Sequence, residues 1–156
     1  MNDRTAPQPD DIRALIAAEI HREGPLLPIL HAIQAAFGHI PEMALPIIAA
    51  ELGLTRAEVH GVVSFYHDFR AAPAGRHVVK ICRAEACQSV GAGALTQAVL
   101  DQFGLDADGT TTDGRITVEP VYCLGLCACG PAAMVDGQVI GRADAAAIRA
   151  RTEARA

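Results

Sequence analysis

Five cysteines, Cys82, Cys87, Cys123, Cys127 and Cys129, all lie in the second half of a 156-residue chain. Four of them form two short pairs, Cys82-x4-Cys87 and Cys123-x3-Cys127, with 35 residues between the pairs. In a protein of the reducing cytosol this pattern points to metal binding or redox chemistry ahead of structural disulfides. Four thiolates from two loops can hold either a tetrahedral Zn²⁺ or a [2Fe–2S] cluster, and ligand type alone does not choose. Neither pair has the tight x2 knuckle of a zinc ribbon, and the x2 gap of plant-type ferredoxins is also absent.

The surroundings favour a cluster without excluding zinc. A thiolate-bound [2Fe–2S] core carries net negative charge that deepens on reduction, so it needs backbone N–H groups close to its sulfurs. Small residues allow that approach: Ala84 and Ala86 in the first loop, Gly125 in the second, and Gly91 and Gly93 at the start of the following helix. Arg83 is the one fixed cation inside either loop. Cys129 reads as a small residue packed beside the site, and the absence of any C-x-x-C argues against thiol–disulfide exchange.

The elements that must position these loops follow from periodicity. Residues 1–9 read as a flexible tail. Residues 10–70 read as a helical domain for partner docking. Its first helix starts at Asp10 with Ile12, Leu15, Ile16 and Ile20 on one face, and its second runs from Leu26 to Phe37 with Leu27, Leu30, Ile33, Ala36 and Phe37 inward. A third spans about Glu42–Leu52, and a fourth follows the capping box Thr55-Arg-Ala-Glu58, with Val59, Val62, Val63 and Tyr66 inward. Helical spacing also assigns Phe65, Tyr66 and Phe69 to core packing.

Ala71–Gly75 reads as a linker, and the grammar then changes. A strand at His77–Ile81 ends at Cys82, a helix covers Val90–Phe103, and 106–114 form a polar loop. A strand spans Arg115–Tyr122, a hairpin turns at Asp136-Gly137, and a helix covers Ala143–Arg151. Each cysteine pair thus falls in a loop after a strand, so the two loops can converge. The predicted class is α+β, a helical bundle followed by an α/β domain over 76–156.

Composition narrows the function. The net charge is −5, with twelve arginines and the single Lys80 scattered along the chain, which argues against a nucleic-acid partner. The first 70 residues carry five basic and nine acidic side chains, so surplus acid sits there. The longest apolar stretch, Ala44–Ala50, contains Pro46 and falls short of the about 18 residues of a membrane span. Met1–Asp11 is polar and acidic, the reverse of a secretory signal, so the expected location is cytoplasmic. His21, His31, His39, His60 and His67 lack H-x3-H pairing and suit surface or capping roles. Asp106, Asp108 and Asp113 lack the closing glutamate of a calcium loop. No general acid, base or nucleophile stands out, so no turnover is expected from the isolated chain.

Ile81-Cys-Arg-Ala-Glu-Ala-Cys-Gln88 with Gly91-Ala-Gly93, and Tyr122-Cys-Leu-Gly-Leu-Cys127, resemble the thioredoxin-like [2Fe–2S] ferredoxin family. Gly38-His-Ile-Pro41 and Val59-His-Gly-Val-Val-Ser-Phe-Tyr66 resemble its N-terminal helical segment. The family includes the 24-kDa-type subunit of respiratory NADH dehydrogenase and subunits of NAD-linked hydrogenases and formate dehydrogenases. The resemblance implies a thioredoxin-like domain with Cys82, Cys87, Cys123 and Cys127 as ligands to one [2Fe–2S] cluster. Cys82-Arg-Ala-Glu-Ala-Cys87 and Cys127-Ala-Cys-Gly-Pro131 look most like the gamma subunit of NAD-dependent formate dehydrogenase. That likeness implies a flavin partner carrying FMN, NAD and further iron–sulfur centres, and a large formate-oxidising subunit with a molybdenum cofactor. A respiratory NADH:quinone oxidoreductase or an NAD-linked hydrogenase is the alternative parent. A structural zinc module or an assembly adaptor is the alternative of another class.

Overall fold

The computed structural model describes residues 7–154, and the chain divides between Pro73 and Ala74 into two compact units. Residues 1–6 of the expected tail lie outside the described residues, and helix α1 (Pro9–Glu19) already takes in Pro9. Pro9 at the first helical position loses no hydrogen bond, and Asp10 and Asp11 suit the positive end of the helix.

Three further helices complete the first unit: α2 (Leu26–Phe37), α3 (Ala44–Leu52) and α4 (Arg56–Phe65). Gly38 and Gly53 end α2 and α3 in the left-handed conformation, which glycine adopts without a Cβ clash. The capping box of α4 forms as the sequence predicts, with the Glu58 N–H donating to Thr55 Oγ1 and the Thr55 N–H to Glu58 Oε2. Ile12, Ile16, Ile29, Leu30, Ile33, Phe37, Ile48 and Val59 form the buried core, with Phe69 at its margin.

Several expected core positions are corrected. Ile20, the C-cap of α1, is exposed although its backbone is still helical; Ala36 is exposed, and Ile29, not among the expected positions, is fully buried. Phe65 is 73% exposed and Tyr66 44%. The chain leaves helical geometry at Tyr66 (ψ 107°), so the 3.6-residue period no longer carries these rings inward, and only Phe69 returns to the core.

The second unit is a five-stranded mixed sheet in the order β2-β3-β1-β4-β5, from β1 (His77–Cys82), β2 (Gly109–Thr110), β3 (Ile116–Val121), β4 (Ala133–Val135) and β5 (Gln138–Ile140). β1 and β3 are parallel; every other pair is antiparallel. Helices α6 (Ala92–Phe103) and α7 (Ala145–Glu153) supply Leu95, Val99, Leu100 and Ile148 to a core with Val79, Ile81, Ile116 and Val118. Pro120 is tolerated in β3 because the two-residue β2 pairs only with Thr117 and Val118, leaving β3 an edge beyond them.

The helix expected at Val90–Phe103 begins two residues later, at Ala92, and a further short helix that was not expected precedes it. A short α5 (Glu85–Ser89) encloses Cys87, and Gly91, at φ 97°, breaks the chain before α6. The polar 106–114 loop contains β2. The Asp136-Gly137 turn has both residues at positive φ, as a type I′ hairpin requires. Asp136 also binds the start of β1, accepting from the Val78 N–H at 2.9 Å and from His77 Nδ1 at 2.8 Å.

Candidate cluster site

Cys82 ends β1 and sits in register with Val121 at the end of β3. Because these neighbours are parallel, the Cys82–Cys87 segment and the Cys123–Cys127 loop leave the sheet from the same end. Backbone bonds fix both: Cys82 N–H donates to Ala132 O and Arg83 N–H to Val121 O, at 2.9 and 2.8 Å. Cys82, Cys87, Ala92 and Ala132 form a small buried cluster, packed by Ala84, Val121, Leu124 and Leu126.

The structure brings the four expected cysteines together as two pairs. Cys82 and Cys87 are buried and close enough to shift each other's acidity; Cys123 and Cys127 are exposed, with Sγ atoms 3.8 Å apart. Among the described residues no three or more His, Cys, Asp or Glu side chains are gathered as a single-ion site. Two thiol pairs suit a two-iron core, in which each iron takes two protein ligands. Cys129 closes a 3₁₀ turn (Cys127–Cys129) and is half-buried, its carbonyl accepting from the Arg142 N–H at 2.6 Å.

Thiol acidity reflects this crowding. Burial pushes the Cys82 thiol up, but backbone N–H groups of Ala84, Cys123 and Leu124 and the Cys87 thiol outweigh it and hold Cys82 below its ordinary range. Burial drives Cys87 the other way, reinforced by the bond to Cys82 and repulsion from Cys82 and Cys127, against a favourable Ala132 N–H. Cys127 is raised by its bond to Cys123 and by that neighbour's charge. Four thiolates at such range are stable only around positive charge, and binding a metal core would release the protons that hold Cys87 and Cys127 neutral. With N–H groups directed at sulfur, the donor set fits an iron–sulfur cluster.

Sequence reasoning found Ala84 and missed other backbone donors. Gly125 is not among the N–H donors just named; its φ of 77° shapes the loop in which the Cys123 and Leu124 N–H groups reach Cys82. Cys123 itself takes a left-handed φ of 74°, uncommon outside glycine, and two successive N–H groups turned to one anion make a small concave nest. Gly130 was also missed: a Cβ there would come within 2.7 Å of Val90 Cγ2 and 3.6 Å of Cys87 Sγ. The Cys129-Gly130-Pro131 triplet, two residues beyond Cys127, was the signal available.

The sequence profile of the thioredoxin-like [2Fe–2S] ferredoxin family matches residues 12–154. The chain belongs to this family. Its cofactor is accordingly one [2Fe–2S] cluster. It is 34% identical over 137 residues to the HndA component of the NADP-reducing hydrogenase of Solidesulfovibrio fructosivorans, covering 86% of this chain and 80% of that one. To a component of the NADH-quinone oxidoreductase of Pseudomonas aeruginosa it is 35% identical over 133 residues, covering 83% and 80%. The fold matches the crystal structure of an NAD+-reducing [NiFe]-hydrogenase in the H2-reduced state with a TM-score of 0.66 at 28% identity. That match takes in 97% of this chain and only 22% of the hydrogenase chain. Among the described residues no helix is long and apolar enough to cross a membrane.

Proposed function

We propose that this chain is the [2Fe–2S] electron-transfer subunit of a multi-subunit NAD(P)-linked oxidoreductase, with Cys82, Cys87, Cys123 and Cys127 as the cluster ligands. The observation that carries the reading is the meeting of those four thiols, in two pairs, at one end of the β1–β3 ladder. A bound [2Fe–2S] cluster supplies one-electron transfer, which a two-electron hydride carrier cannot exchange directly without a flavin. The chain's own residues hold that group: the Ala84, Cys123, Leu124 and Ala132 N–H groups bind sulfur, and buried Cys82 and Cys87 keep water from one side. The other side is open, since Cys123 and Cys127 are exposed beside Tyr122, itself 70% exposed, which suits electron exchange with a docked partner.

The named relatives support an NADH-quinone oxidoreductase or an NAD(P)-reducing hydrogenase as parent complex, ahead of the formate dehydrogenase suggested by Cys127-Ala-Cys-Gly-Pro131. The partner under this reading is a flavin- and NAD-binding iron–sulfur subunit. The helical unit is the docking module, its exposed Phe65 and Tyr66 forming an edge-to-face pair with centroids 5.2 Å apart.

The test is the metal content of anaerobically purified protein, followed by EPR after dithionite reduction. About two irons and two acid-labile sulfides per chain, with a rhombic spin-half signal, are expected. One zinc with no sulfide and no signal would overturn the electron-transfer reading and make this a structural metal module.

A further inference from the structure

Resting on the four-cysteine reading, a neighbouring ion pair carries a further step. Arg83 follows Cys82 directly and is the one fixed cation in either cysteine loop. Its backbone is held twice, the N–H by Val121 O and the carbonyl by Gln88 Nε2. Its guanidinium donates from Nη2 to Asp108 Oδ1 at 2.5 Å, the two side chains 29% and 30% exposed. Asp108 immediately precedes β2, whose Gly109 lies opposite Val118, so it sits towards the end of the sheet where Cys82 and Val121 pair.

The residue next to Cys82 therefore carries a cation, beside a centre whose negative charge deepens on reduction, and a carboxylate cancels that cation. We propose that Asp108 is a positioning residue: it holds Arg83 in a neutral pair and so keeps the cluster's reduction potential below the value that Arg83 alone would set. The sign does not depend on distance, because an unpaired cation stabilises the more negative, reduced state and an unpaired carboxylate opposes it. The pair is partly exposed, so added salt screens whatever charge a substitution uncovers.

Potentiometric titration followed by EPR on the full, cluster-loaded chain tests this with Asp108→Asn, Arg83→Gln and the double variant, at low and high salt. Asp108→Asn is expected to raise the potential, Arg83→Gln to lower it, and the double variant to fall between them, with all differences shrinking in salt. A pair that only anchors the 106–110 segment predicts otherwise: both single variants shift in the same direction, or neither shifts while thermal stability drops, and either result overturns the proposal. Iron and sulfide counts on the same samples separate the possible failures. Wild-type protein without a cluster removes the ligand reading and this inference with it. Loaded variants with unchanged potentials remove this inference alone.

Discussion

Cys82 and Val121 are register partners at the ends of two parallel, hydrogen-bonded strands. That single pairing explains why two cysteine pairs 35 residues apart meet, since the segments after β1 and β3 must emerge side by side. The fifth cysteine closes the 3₁₀ turn that Cys127 opens, and its carbonyl accepts from the Arg142 N–H. Alanine at Cys82, Cys87, Cys123 or Cys127 is expected to reduce bound iron and sulfide from about two each per chain to traces. Cys129→Ala is expected to leave both counts unchanged. An equal loss in Cys129→Ala would make it a ligand and break the two-pair scheme.

Gly130 is required by space and not by backbone conformation, as its φ of −66° is open to any residue. An alanine Cβ would stand 2.7 Å from Val90 Cγ2, a half-exposed β-branched side chain that must shift to admit it, and 3.6 Å from Cys87 Sγ. Gly130→Ala is expected to cost about 1–3 kcal/mol by overpacking, read by thermal or denaturant unfolding. Val90→Ala in the same chain removes the obstructing methyl and should recover most of that loss. No recovery would place the conflict at Cys87 or in the backbone.

How much of this was legible in the sequence divides along physical lines. The second helix, the capping box at Thr55 and Glu58, and the Asp136-Gly137 turn depend on local rules and appear where expected. The Cys123–Cys127 and Cys82–Cys87 segments were legible from spacing. Three features were not, because each depends on a neighbour distant in sequence or on a break in period. The N–H groups of Cys123 and Leu124 reach Cys82 only because β3 runs parallel to β1. Asp108 meets Arg83 only because β2 adds to the sheet edge. Phe65 and Tyr66 fit the helical period, but the chain stops following that period at Tyr66.

Glu58 accepts from both the Thr55 N–H and the Thr55 hydroxyl, each at 2.8 Å, and these bonds hold its carboxyl below the usual glutamate range. A pKa depressed in the folded state stabilises the protein above the unfolded-state pKa, about 4.3 for glutamate, and that contribution is lost as pH falls through the folded value. Glu58→Gln should therefore lower stability at neutral pH and remove part of the decline on acidification. Thr55→Ala, which deletes the cap itself, should cost about 1 kcal/mol at neutral pH. Urea unfolding of each variant between acid and neutral pH checks both, and an unchanged acid slope in Glu58→Gln would remove the linkage.

Phe65 and Phe69 lie four residues apart and have opposite environments. Phe69 is 8% exposed and packs against His31 and Tyr66, with ring centroids 5.0 and 6.0 Å away, whereas Phe65 meets only the edge of Tyr66 among the ring contacts of the described residues. Phe69→Ala should cost about 3–5 kcal/mol, the usual penalty for emptying a buried aromatic site. Phe65→Ser should stay within about 0.5 kcal/mol of wild type, as surface changes do. If the helical unit docks the flavin-bearing subunit through this edge, the same Phe65→Ser chain should keep its cluster yet bind that subunit at least about tenfold more weakly, a difference of about 1.4 kcal/mol. Stable protein with undiminished binding would move the docking surface elsewhere, and destabilisation matching that of Phe69→Ala would return Phe65 to the core. Unfolding midpoints and a binding titration with the cluster-loaded chain distinguish these results.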